Sequence, residues 1–198
     1  DWNPRYLYRK IFDDTDKSCV LIPLFNSKKE LINCCCRRLS DKGKLKYSLA
    51  VPEVNVWGLD NIEIGDEVWL TEGLFDRVAL LEEVDKCVSV SSASWSTIQL
   101  YQLINKKPSK INIFCDYDYT GLKSAQLLQK IFAFFGIKCD LYISKKFKDA
   151  TEHFIENKLT FNEVEETIIN EEVLEELKEP DNQLIKTSFL GYLKNRKF

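Results

Sequence analysis

Four acidic residues stand where a carboxylate could bind a cation or move a proton. Glu72 closes the apolar run Val68-Trp69-Leu70-Thr71 and is followed by Gly73. Asp116 and Asp118 end the run that begins at Ile111, and Asp149 follows a third run over 138–144. Asp116 and Asp118 are two positions apart, so an extended chain points both to one side, with about 7 Å between their Cα atoms. Carboxylates that close, joined by a third from a neighbouring strand, repel one another unless a divalent cation lies among them. Oxygen-only donors suit Mg²⁺, which keeps several waters and shares its other positions with phosphate. Gly121 opens a helix whose N-terminus could also face an anion. A plainer reading uses the same residues: acid pairs are common in loops, and an acid before a helix is often its cap.

The elements that must position these acids can be read from periodicity. "CVLIPLFNSKKELINCCCRRL" reads as two strands joined at Asn26-Ser27-Lys28-Lys29, a hairpin. A basic loop follows. "EVWL" is a strand, "FDRVALLEEV" a helix, "CVSVSS" a short strand, and 96–105 a helix ended by Lys106-Lys107-Pro108. "KINIFCDYD" is the strongest strand, "TGLKSAQLLQKIFAFFG" a helix stopped by Gly136, and "KCDLYIS" another strand. From 149 onward the pattern is helical and increasingly charged. Strands alternating with helices through 67–145 predict a parallel α/β sheet, and such sheets bind ligands beyond the carboxyl ends of their strands.

Composition narrows the class. The 198 residues can bury a real core, and 44% hydrophobic with 30% charged residues is ordinary for a soluble globular chain. No apolar run is long enough to span a bilayer, and no basic-then-apolar signal segment opens the chain. The seven cysteines form no CxxC pair and the one histidine is His153, which argues against a structural zinc site and for a reducing compartment, the cytoplasm. Charge is divided unevenly. Residues 1–48 carry eleven Lys/Arg against six Asp/Glu, while 163–181 carry nine acids against one lysine. A basic front suits a polyanionic partner, and the acidic stretch reads first as a solvated face. His153 reads as a partly buried surface residue rather than a general base, and Trp69 as core.

Taken together, these blocks resemble a known family. "VWLTEGLFDRVALL" resembles the EGxxD strand–helix unit of the Toprim domain. "INIFCDYDYTGLKSA" is similar to its second signature, a strand, a DxD pair and a glycine opening a helix. "KDATEHF" resembles the KDxNE-like segment of primase members. Upstream, Arg37, Lys46, Tyr47, Pro52 and Glu53 match the segment that precedes this domain in bacterial and phage replicative primases. Tyr117 and Tyr119 depart from the small or polar residues common there, and no glycine stands near Ser92.

The resemblance implies a Toprim fold: a parallel-rich central sheet flanked by helices, with a small N-terminal α+β lobe and C-terminal helices. The expected divisions are a basic lobe over 1–62, the Toprim domain over 63–157, and a C-terminal helical segment over 158–198. It implies that Glu72, Asp116 and Asp118 are catalytic and hold Mg²⁺ or Mn²⁺, supported by Asp76 and Asp149. Arg37, Arg38 and Lys46 would grip template or nucleotide phosphates. The implied activity is RNA primer synthesis on single-stranded DNA from ribonucleoside triphosphates, beside a replicative helicase in the same or another chain. Two alternatives stay open: a Toprim nuclease using the same acids, and a non-catalytic module that binds nucleic acid or a replisome partner.

Overall fold

The computed structural model describes residues 7–9, 19–26, 29–38, 47–48, 56–90, 95–144, 146–156 and 160–177. Two sheets organise them. The first is antiparallel, in the order β1 (Leu7–Arg9), β2 (Cys19–Phe25), β3 (Leu31–Arg38) and β4 (Tyr47–Ser48). Its β2–β3 pair is the expected hairpin, with a register shift at Leu24/Phe25 beside the turn. Leu24 is buried with Trp57 and Leu74 against Phe75, which seats the hairpin on the start of the helix that follows Glu72. Trp57 in turn exchanges backbone hydrogen bonds with Ser89, at 2.8 and 3.1 Å.

The second sheet carries the acids. It contains β5 (Glu67–Thr71), β6 (Cys87–Ser89), β7 (Lys110–Phe114), β8 (Lys138–Ile143) and β9 (Glu165–Thr167), in the order β6-β5-β7-β8-β9. β6, β5, β7 and β8 are mutually parallel, and β9 pairs antiparallel with β8. The connecting helices are α1 (Leu74–Leu80), α2 (Thr97–Asn105) and α3 (Tyr119–Phe134), followed by the short α4 (Glu171–Glu176). The sheet is mixed α/β and mostly parallel, as the alternation predicts.

Successive strand residues face opposite sides, so each strand feeds two cores. Val68, Leu70, Ile111, Ile113, Leu141 and Ile143 face α2 and α3, where Leu103, Leu122 and Phe132 are fully buried. On the other side, Phe114 meets α1 through Ala79 and Leu80, and meets Ala150 and Phe154. Trp69 belongs here, half-buried and 4.8 Å from both the Tyr142 and Phe161 rings. The amino ends of the strands are tied by charge: Lys110 lies 3.2 Å from Glu67 and 3.0 Å from Asp140. Asn112 Nδ2 donates to Glu67 Oε1 at 2.6 Å.

Beyond residue 149 the structure departs from the helical expectation. Thr151–Glu156 is a single π-helical turn, and Glu165–Thr167 is a strand. The strand escapes periodicity because it is short, polar and at the sheet edge, where no apolar face need alternate. His153 also differs from the partly buried surface residue expected. It is fully buried, with Nδ1 2.8 Å from Ser144 Oγ and Nε2 3.1 Å from the Thr160 carbonyl. The carbonyl can only accept, so Nε2 is the donor in that bond. Both nitrogens are used, leaving none for proton transfer. Among the described residues, no helix is long and apolar enough to cross a membrane.

The asymmetry along α3 gives a direct check on this packing. Phe132 is fully buried and Phe134 is 84% exposed. Phe132→Ala should lower the unfolding free energy by about 3–5 kcal/mol, and Phe134→Ala should change it by no more than about 0.5 kcal/mol. Denaturant unfolding of the two variants measures the contrast.

Candidate functional site: an acidic cluster at the carboxyl edge of the sheet

Because β5 and β7 are adjacent and parallel, with Leu70 opposite Ile113, their carboxyl ends emerge side by side. Glu72 leaves one and Asp116 the other. β8 continues the row, with Phe114 opposite Tyr142, and the chain beyond it brings Lys148 and Asp149 to the same edge. The Tyr117 amide donates to the Lys148 carbonyl at 2.6 Å, stitching the DxD loop to that segment.

Glu72 has the least satisfied carboxylate of the set. Its Oε1 is buried and has no hydrogen-bond partner among the described residues. It borders a cavity of about 10 Å³ lined by Leu70, Trp95, Ile113, Cys115 and Ala125, space for about one water. Burial, then the charges of Asp118 and Asp76, push its carboxyl up to about 7, against a smaller opposing pull from Lys148. Asp116 rises to about 8 through burial first and the Glu72 charge second, with Asp76, Asp149 and Asp118 adding to it. These two acids share a protonation problem that their surroundings do not relieve.

Gly121 explains how they come so close. A Cβ there would stand 2.6 Å from the Asp116 carbonyl oxygen, 2.8 Å from Asp116 Cβ and 2.8 Å from Glu72 Oε1. Glu72 Oε1 and Asp116 Cβ are therefore no more than twice 2.8 Å apart, across a glycine that has no side chain to separate them.

Asp118 has a different environment. It is the N-cap of α3, its Oδ1 accepting from the Gly121 amide at 2.8 Å, and Oδ2 lies 2.9 Å from Lys148 Nζ. Burial works against its ionised form, but the Gly121 amide and the Lys148 ammonium outweigh it and hold the carboxyl below its ordinary value. The capping reading of the sequence is thus correct for Asp118, without excluding a second role for its other oxygen.

Asp76 lies in the first turn of α1. Its Oδ1 accepts from the Thr151 amide at 3.1 Å and the Thr151 hydroxyl at 2.7 Å, and its other oxygen fills the space a Gly73 side chain would need. Burial raises its carboxyl despite these bonds. Asp149 caps the π-helical turn, Oδ1 accepting from the Glu152 amide at 2.8 Å.

All five acids expected from the sequence therefore converge on one edge. Among the described residues they are near enough to perturb one another, yet no group of three is closed tightly enough to enclose an ion. The basic residues are a different matter. Arg37 and Arg38 lie on β3, opposite Val20 and Cys19, but their side chains lie outside the described residues, as does Lys46. Sequence reasoning missed Lys148 and Thr151. The first stands beside Asp149 in the chain, yet nothing local indicates that it reaches Asp118; the second is 75 positions from its partner. Tyr117 packs partly against the α2–α3 core, a structural use that accounts for its size.

Comparison with known proteins agrees with this geometry. Residues 69–154 match the Toprim-like family. Among solved structures, the fold resembles the primase fragment of the bacteriophage T7 primase-helicase protein, with a TM-score of 0.63 and 16% identity over 78% of this chain and 63% of that one. It also resembles the DnaG primase catalytic domain bound to ssDNA (TM-score 0.60, 14% identity, 77% of this chain, 55% of that one). A DNA primase domain from Pseudomonas aeruginosa is a third match (TM-score 0.58, 17% identity, 82% of this chain, 57% of that one). Comparison with curated protein sequences gives no match. Residues 69–154 are thus similar to a Toprim-like domain, and the fold around them is the one seen in primase catalytic cores. The chain spans roughly half to three-fifths of the length of these solved cores.

Two predictions follow from the crowding. In an exposed helix, Gly→Ala stabilises by about 1 kcal/mol. Gly121→Ala should instead destabilise, by about 1–3 kcal/mol, because its methyl would press on Asp116 backbone. Chemical denaturation reads the sign. The second prediction concerns pH. Glu72 and Asp116 hold protons more tightly folded than unfolded, so their contribution is most favourable at or below about pH 4 and is lost as pH rises through about 7 and 8. Asp116→Asn should therefore exceed the parent in thermal stability at pH 8, with the advantage shrinking toward pH 5.

Proposed function

We propose that this chain is the catalytic core of a primase, joining ribonucleoside triphosphates into short RNA primers on single-stranded DNA. The observation that carries the reading is the meeting of Glu72, Asp116 and Asp118 at the carboxyl edge of adjacent parallel strands, with Glu72 Oε1 buried and unpartnered among the described residues.

In donor chemistry, though not in its present spacing, the set suits a divalent cation of the Mg²⁺ or Mn²⁺ type. It offers carboxylate oxygen only, two of its acids are driven toward protonation by burial and by neighbouring carboxylates, and one oxygen lacks any partner among the described residues. Glu72, Asp116 and Asp118 would hold the ions. Asp76 and Asp149 support them by fixing α1 and the π-helical turn around the site. Bound ions supply charge neutralisation on the transferred phosphate and activation of the attacking hydroxyl. The chain's own part is orientation: the cavity wall behind Glu72 is apolar apart from Ser124, and Gly121 leaves Glu72 and Asp116 facing one another.

Arg37, Arg38 and Lys46 are assigned to template or nucleotide phosphates, on the basic lobe that Leu24 and Trp57 seat against α1. A replicative helicase, fused or separate, is the expected partner, and the cytoplasm the expected site of action.

A primer-synthesis assay tests the reading, using labelled ribonucleotides, single-stranded DNA and Mg²⁺ or Mn²⁺. The parent should extend product, and Glu72→Gln and Asp116→Asn should each lose about a hundredfold or more. Template degradation by the parent, abolished in the same variants, would assign the cluster to nuclease chemistry instead.

A further inference from the structure

Five carboxylates gather at this edge, and Lys148 is the cation whose field acts on Glu72, Asp116, Asp118 and Asp149 alike. Its placement is specific. The Asp118 cap uses Oδ1 on the Gly121 amide, so Oδ2 is the oxygen left for a cation, and that is the atom Lys148 Nζ holds at 2.9 Å.

The backbone of Lys148 is fixed independently of its ammonium. Its carbonyl accepts from Tyr117 and its amide donates to Glu152 Oε2 at 3.0 Å. The side chain is 54% exposed and its Asp118 partner 40%, so the pair can part without exposing a core or stranding a buried charge. An ammonium is a compact, strongly hydrated charge on a flexible stem, suited to leaving and returning.

We propose that Lys148 is an exchangeable counter-ion: it occupies Asp118 Oδ2 when no divalent ion is bound and must be displaced for Asp118 to become a metal ligand. It thereby sets the metal concentration at which the site fills. This rests on the divalent-cation reading above and adds a residue that opposes metal binding from within the site. Release costs the Lys148–Asp118 interaction, so removing the ammonium strengthens metal binding even though it removes no ligand.

The test is Mn²⁺ binding to the full chain at low ionic strength, by calorimetry and by loss of the free-ion EPR signal. Lys148→Gln should bind Mn²⁺ about three- to fivefold more tightly than the parent, the scale of a half-exposed ion pair. Lys148→Arg, which keeps the charge, should stay within about twofold of the parent. Lys146→Gln removes the same charge two positions away, from an exposed residue, and should also stay within about twofold. In an Asp118→Asn background the gain from Lys148→Gln should vanish.

Equal or weaker affinity in Lys148→Gln, with the parent binding Mn²⁺, overturns the counter-ion and leaves the metal site standing. Equal tightening in Lys146→Gln overturns it too, by showing a general field effect. Absence of Mn²⁺ binding in the parent and every variant overturns the metal reading itself. Circular dichroism of each variant confirms folding, and the backbone anchors of Lys148 do not involve the replaced atoms.

Discussion

Like charges held together with little water are the constraint around which this structure is organised. An isolated buried carboxylate is costly in its ionised form, and a neighbour of the same sign makes it more so. The five acids meet that cost in two ways. Asp76, Asp118 and Asp149 accept hydrogen bonds from the chain, two as helix-turn caps and one from Thr151. Glu72 and Asp116 are the two that burial drives toward protonation, helped by the charges of Asp118 and Asp76 on Glu72 and by that of Glu72 on Asp116. Satisfied acids build the frame, and the unrelieved pair is where binding a cation returns the most free energy. A strongly perturbed group in a cleft marks function on the same reasoning.

The parallel sheet makes such a meeting possible. Neighbouring strands lie about 4.8 Å apart, so residues that leave adjacent carboxyl ends start within side-chain reach of each other. β5 and β7 provide that spacing, and β8 adds the third row. The strands are buried on both faces, which holds their ends in place, while ion pairs of Lys110 with Glu67 and Asp140 fasten the opposite edge. Charge is thus compensated at one end of the sheet and left accumulated at the other.

Much of this was legible in the chain before its fold was known. The apolar runs at 67–71, 110–114 and 138–143 declare themselves as strands, and their acidic endings then fall on one edge by topology alone. What stayed hidden depends on pairing between distant positions. Nothing local couples Asp76 to Thr151, or assigns Lys148 to Asp118 in preference to its exposed neighbour Lys146. A histidine amid polar residues looks solvated, whereas the partners that satisfy buried His153, Ser144 after β8 and the Thr160 carbonyl, flank its turn on either side. β9 carried no apolar alternation to find, since Glu165 and Glu166 are both exposed on an edge strand.

The glycines of the two signatures show what kind of information such motifs carry. Gly73 has an ordinary backbone conformation, with φ −97°, so its role is not a turn that other residues could not make. The space of its missing side chain is taken by an Asp76 oxygen, and that of Gly121 by Asp116 and Glu72 Oε1. In each signature the glycine is therefore the complement of a carboxylate: the acid has a fixed position because the glycine leaves volume for it. A methyl group at either point would compete for that volume, although neither glycine needs a φ that other residues avoid. Spacing in the sequence thus encodes where charge is allowed to concentrate, which explains why a lone acid at a strand's end is followed by the smallest residue available.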